Sequence, residues 1–124
     1  MIRKLALIVA LLGLLDTGAT ALAEKIGPNG GLVAGAGSHQ TELVVSATEL
    51  TVYLLEEGRL HPAKGTKLRA IVQERGNARS INFVDEDGNR LVAKLPAPLS
   101  KGAILVLIGK DAHGDQFNSR YVIK

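Results

Sequence analysis

The chain has three histidines, His39, His61 and His113, and no cysteine. Imidazole nitrogens bind Zn²⁺ and Cu²⁺, and carboxylate oxygens can complete such a shell. A site built this way does not favour Cu⁺, because the only methionine is Met1 and there is no thiolate. Disulfides, thiol chemistry and a cysteine-borne lipid anchor are excluded as well. Other chemistries find less material. Ser38 and His39 are sequence neighbours, the wrong geometry for a nucleophile and its base unless the loop folds back, and spacing suggests no acid partner. No catalytic arrangement stands out, and the chain reads as not an enzyme. The run Asp85-Glu86-Asp87-Gly88-Asn89 lacks the glycine spacing and the final bidentate glutamate of a calcium loop. Gly30-Gly31 and the glycines at 35 and 37 precede no helix, so they do not form a phosphate cradle and instead serve turns and close backbone approach.

The elements that must position the histidines are strands. Apolar residues recur with period two, and turn residues interrupt them at short intervals. The pattern predicts strands at 32–34, 41–46, 49–56, 67–74, 78–84, 89–95, 103–109 and 116–123. Asp85-Glu86-Asp87-Gly88 reads as a hairpin turn, since Asp-Gly tolerates positive φ. Pro96-Ala97-Pro98 ends a strand, because proline cannot donate to a ladder. The run 103–109 is apolar on both faces and short, which favours a buried strand over a helix. No helix is expected in residues 24–124. The fold class predicted is all-β: a mostly antiparallel, two-layer β-sandwich of about seven or eight strands. It is immunoglobulin-like in architecture only, because the Cys and Trp core signature is missing. Expected core residues are Leu43, Val52, Leu54, Ile71, Phe83, Leu91, Val106, Ile108 and Tyr121.

Strands joined by reversing connections alternate in direction. The connections at 35–40, 57–66, 85–88 and 110–115 then fall at one end, and those at 47–48, 75–77 and 96–102 at the other. All three histidines lie at the first end, with Glu57, Asp85, Glu86, Asp87, Asp111 and Asp115 and with Glu56 at its edge. Loops on a rigid scaffold that converge in this way are what a Zn²⁺ or Cu²⁺ site needs. The competing reading is that polar side chains simply belong in solvated loops.

The first residues have the layout of a secretory signal. Arg3 and Lys4 form a positive start, an apolar run extends from Leu5 to Leu15, and Ala21-Leu22-Ala23 is a small-x-small cleavage site. The apolar run is shorter than the ~20 residues that span a bilayer. An uncleaved anchor or a buried first helix is the alternative. The expectation is a signal peptide at 1–23 cleaved after Ala23, a single domain at 24–124, and a soluble periplasmic product if the source is Gram-negative. Charge is close to balanced, with 15 Lys and Arg against 12 Asp and Glu. Basic residues do not cluster with aromatic stacking partners, which argues against nucleic acid.

One stretch has a more distinctive pattern. Gly27-Pro28-Asn29-Gly30-Gly31 is followed by Gly37-Ser38-His39-Gln40-Thr41-Glu42-Leu43-Val44 and then Glu49-Leu50-Thr51-Val52-Tyr53-Leu54. This resembles a group of small exported β-sandwich proteins associated with heavy-metal efflux systems. It also resembles a domain fused to some periplasmic adaptor subunits of resistance–nodulation–division pumps. The resemblance implies a β-sandwich fold, periplasmic efflux components as partners, and functional weight on His39 and Glu42. Members often carry a histidine where this chain has Asn29, and an Asp-His pair where it has Glu56-Glu57. Strand geometry separates His39 from Glu42, since residues three apart point to opposite faces.

Two functional readings follow. One is an exported accessory or binding protein of transition-metal handling or efflux, holding Zn²⁺ or Cu²⁺ through His39, His61 and His113. The other is a non-catalytic periplasmic protein-interaction module with no metal, which recruits its partner at an exposed strand edge. For that role 116–123 offers a better template than the short strand at 32–34.

Overall fold

A computed structural model describes residues 25–124. The expected signal peptide and its cleavage site lie outside the described residues. Eleven strands follow in order: β1 (Lys25–Ile26), β2 (Leu32–Ala34), β3 (His39–Val45), β4 (Glu49–Glu56), β5 (Arg59–His61), β6 (Lys67–Glu74), β7 (Asn77–Asn82), β8 (Val84–Glu86), β9 (Arg90–Lys94), β10 (Ile104–Lys110) and β11 (Gln116–Val122). The first sheet has the order β1-β2-β3-β4-β9-β8, with β5 also on β4, and the second has the order β11-β10-β6-β7. Every pairing is antiparallel. The molecule is thus an all-β two-layer sandwich, and among the described residues no helix is long and apolar enough to cross a membrane.

Alternation builds the layers. Along β11, Phe117, Ser119 and Tyr121 are buried while Gln116, Asn118, Arg120 and Val122 are exposed. Leu50, Val52, Leu54 and Leu91 from the first sheet meet Ala70, Val72, Leu105, Leu107 and Phe117 from the second, all fully buried. Each large apolar side chain buried there contributes about 1.5–3 kcal/mol. Of the expected core, Leu43, Val52, Leu54, Phe83, Leu91 and Tyr121 are buried. Ile71, Val106 and Ile108 are not: they are half-buried on the outer face of the second sheet, where Val106 registers against Ile71. Strand β10 is apolar on both faces, so its sequence left the inward phase open. The core takes Leu105 and Leu107 instead.

Three strands exceed the expected count, and their reasons are local. β1 is a two-residue edge. β5 returns from β4 through Glu57-Gly58, both at positive φ, as a tight two-residue hairpin requires. β8 continues the run of β7 on the other sheet, with buried Phe83 at the crossing. The turn after it is narrower than expected: Asp85 and Glu86 belong to β8, and Asp87-Gly88 carry the positive φ. β5 has only three residues and does not reach the far end, so the histidine loops keep their common end.

Where the two sheets meet at β3 and β11 the contact is polar. The Thr41 hydroxyl donates to Ser119 Oγ at 2.7 Å, and Ser119 donates to the Ala34 carbonyl at 3.1 Å. The Tyr121 hydroxyl donates to the Thr41 carbonyl at 2.8 Å and lies 2.7 Å from Thr41 Oγ1. Burial pushes the Tyr121 phenol up to about 12.

Candidate functional site

His39 opens β3 and registers opposite Glu56, the last residue of β4. His61 closes β5 opposite Leu54. Directly opposed residues share a face, and Leu54 is fully buried, so His61 lies on the inner side of the first sheet. His113 sits in the turn after β10, and Phe117 of β11, fully buried, forms the floor.

Asp111 organises this end. Its side chain is 1% exposed. Oδ1 accepts the backbone N–H groups of His113 and Asp115, each at 2.9 Å. The turn is closed by Asp111 N–H to the Asp115 carbonyl and Gly114 N–H to the Asp111 carbonyl, both at 3.0 Å. Oδ2 lies 3.0 Å from His61 Nε2. Burial alone would raise the Asp111 carboxyl. The N–H groups of Asp115 and His113, together with His61, outweigh it and hold the carboxyl below its ordinary range.

His61 is thereby bracketed, because its Nδ1 lies 3.0 Å from Glu56 Oε2. The His61 ring centre is 6.0 Å from that of Phe117 and 6.5 Å from that of His113. His39 meets Phe117 edge-on at 5.3 Å. Its Nε2 is 3.5 Å from Asp115 Oδ2 and its Nδ1 is 3.3 Å from Ser38 Oγ. The loop does fold Ser38 back onto its neighbour, although the contact is long.

All three sequence-predicted residues therefore reach one end of the sandwich. His61 and His113 are neighbours, and His39 stands on Phe117. Among the described residues, no group of three or more His, Asp or Glu side chains is already arranged around a common point for a metal ion. The carboxylates divide. Glu56, Asp111 and Asp115 join the histidines. Glu86 and Asp87 pair instead with Arg90, and Asp85 accepts the Gly88 N–H of its own turn.

Glu42 is separate from this cluster. It faces the opposite side of β3, is fully buried, and accepts the N–H groups of Asn29 at 2.8 Å and Gly31 at 2.7 Å. The Asn29 side-chain amide donates to it at 3.1 Å. A Cβ on Gly27 would stand 2.5 Å from the Glu42 carboxyl carbon, and one on Gly31 would stand 2.5 Å from the Leu43 carbonyl oxygen. The Gly-Pro-Asn-Gly-Gly turn is thus a cover fitted onto a buried carboxylate. Sequence reasoning set Glu42 apart from His39 but had no signal for this role. Gly27 and Gly31, each two positions from Asn29, were the visible part of it.

Comparison of the chain with protein-family models, curated proteins and solved structures finds no match.

Proposed function

We propose that the chain is an exported, non-catalytic accessory protein of transition-metal handling or efflux, taking up Zn²⁺ or Cu²⁺ through His39, His61 and His113. The observation that carries this reading is the gathering of the three imidazoles at one end of the sandwich, His39 and His61 on Phe117 and His113 beside His61, with Glu56, Asp111 and Asp115 next to them. With Zn–N bonds of about 2.0–2.1 Å, two imidazoles on one tetrahedral ion bring their ring centres to roughly 5 Å. His61 and His113, at 6.5 Å, need a small side-chain rotation to do so. His61 would release one of its two carboxylates to a metal, and Asp or Glu oxygen would complete the shell. The Gly27–Leu54 motif resemblance supports the link to efflux, and the signal layout before Glu24 supports a periplasmic address.

Calorimetric titration of residues 24–124 with Zn²⁺ and with Cu²⁺ near neutral pH tests the reading. One ion is expected to bind the parent protein, and His39→Ala and His113→Ala are each expected to weaken it at least about tenfold. Equal heats from parent and variants would sink the metal reading. Finding Met1 at the N-terminus of exported material would sink the cleaved-signal part of it.

A further inference from the structure

Among the described residues, strand β11 is paired on one side only. It lies at the edge of the second sheet, next to β10. Bonded pairs alternate along an antiparallel ladder. Ile123 donates to the Ala103 carbonyl, and Asp111 donates to the Asp115 carbonyl. The pairs between them with the same parity are Tyr121 with Leu105, Ser119 with Leu107 and Phe117 with Gly109. Those residues spend their backbone groups on β10. The N–H and C=O groups of Asn118, Arg120 and Val122 therefore point to the free edge.

A groove of about 710 Å³ runs along that edge, walled on its far side by Leu32, Ala34 and Ala36. The charged side chains lining it are Lys25, Arg120 and Lys124, with no Asp or Glu. Among the described residues, neither Lys25 nor Arg120 has an ion-pair partner. The adjoining outer face has the same sign. Its charged positions, read from the strand registers, are Lys67, Arg69, Lys110 and Arg120, and no acid occupies that face.

We propose that the free edge of β11 docks an extended, acidic segment of a partner protein, which joins the four-stranded sheet as a fifth strand. Side chains of an added strand share faces with the β11 residues opposite them. Residues opposite Asn118, Arg120 and Val122 face the basic outer surface and are carboxylates. Residues opposite Ser119 and Tyr121 turn toward β2 and are apolar. A second copy of this chain is the poorer occupant, because β11 against β11 brings one Arg120 near the other. The proposal does not depend on metal, since the groove and the histidine end share no titratable residue.

The probe is a fluorescent peptide of alternating Glu and Val, about seven residues long to match the edge. Its binding to residues 24–124 is followed by anisotropy, with chelator present throughout. Saturable binding is expected, falling with added salt, and the matching Lys-Val peptide should not bind. Arg120→Glu is expected to weaken it at least about tenfold through the charge. Asn118→Pro should do the same through the lost donor, because a proline whose missing N–H faces outward leaves the β10 ladder whole. An unchanged melting temperature certifies that each variant is folded. No binding of the acidic peptide, equal binding of both peptides, or folded variants that bind as the parent does would each overturn the proposal. A dimer in light scattering that Asn118→Pro dissolves would overturn it too, by giving the edge to a second copy.

Discussion

His61 at the end of β5 and Asp111 in the turn after β10 are 50 residues apart, and their side chains meet at 3.0 Å with Asp111 almost wholly buried. The same carboxylate holds two backbone N–H groups, so one residue fixes both the His113 turn and the His61 ring. Asp111→Ala leaves these donors without an acceptor, a cost of about 1–3 kcal/mol. Asp111→Asn keeps an acceptor for the turn but loses the charge. It is expected to fall between the parent and the alanine variant in urea denaturation.

The pH dependence of that difference has a definite sign. The Asp111 carboxyl is held below its ordinary range in the folded state, so the unfolded chain binds its proton first as pH falls. The stabilisation is complete above the unfolded value of about 3.9 and is lost as pH drops toward the lower folded value. The stability gap between parent and Asp111→Asn should close as pH falls below about 4. Urea melts at a series of pH values measure it. A gap that widens as pH falls below about 4 would contradict the assignment.

At the alkaline end Tyr121 acts in the same manner. Its phenol is pushed up to about 12, while an unfolded tyrosine ionises near 10. Between these values the unfolded state has already lost the proton, so stability falls as pH rises. Tyr121→Phe is expected to cost about 1–3 kcal/mol at neutral pH, because the Thr41 carbonyl loses its buried donor. By pH 11 the parent's advantage should shrink by roughly 1 kcal/mol. Matched urea melts of the two proteins at pH 8 and pH 11 test both numbers.

What could be read ahead of the structure was whatever depends on neighbours in sequence. Alternation along β11 announced Tyr121, and Asp87-Gly88 announced a turn with positive φ. The common end of the three histidines followed from counting reversals, and it survived because β5 is short and β8 extends β7. What could not be read depends on distant residues. Ile104 to Ile108 offers apolar side chains to both faces, so only the opposite sheet decides that Leu105 and Leu107 turn inward. Nothing in Glu42 itself says that residues 27–31 will fold over it. The partners of His61 likewise depend on how two turns approach.

The Glu42 cover gives a prediction of its own. Glu42→Ala removes the acceptor of two backbone N–H groups and is expected to cost about 1–3 kcal/mol. Glu42→Gln can still offer one oxygen to both groups, so its cost should be smaller. Gly31→Ala should be as harmful as Glu42→Ala, because its Cβ would press on the Leu43 carbonyl oxygen at 2.5 Å. Hydrogen exchange at Gly31 should quicken in all three, most in Glu42→Ala. The histidine end should be unaffected, since Glu42 faces away from it.

His113 separates metal binding from folding. Its ring neighbours that of His61, at 6.5 Å between centres, while its backbone N–H anchors the turn to Asp111. His113→Ala keeps that N–H and is expected to leave the melting temperature of the metal-free protein within about 2–4 °C of the parent, as for most surface substitutions. The parent should gain stability on adding Zn²⁺, in proportion to the logarithm of ion concentration above Kd. His113→Ala should need at least about tenfold more Zn²⁺ for the same gain. The gain should also fall on acidification, because ligation takes the neutral ring and competes with protons. If Zn²⁺ raises the melting temperature of both proteins equally, His113 is no ligand, and it serves only to close the end of the sandwich beside His61.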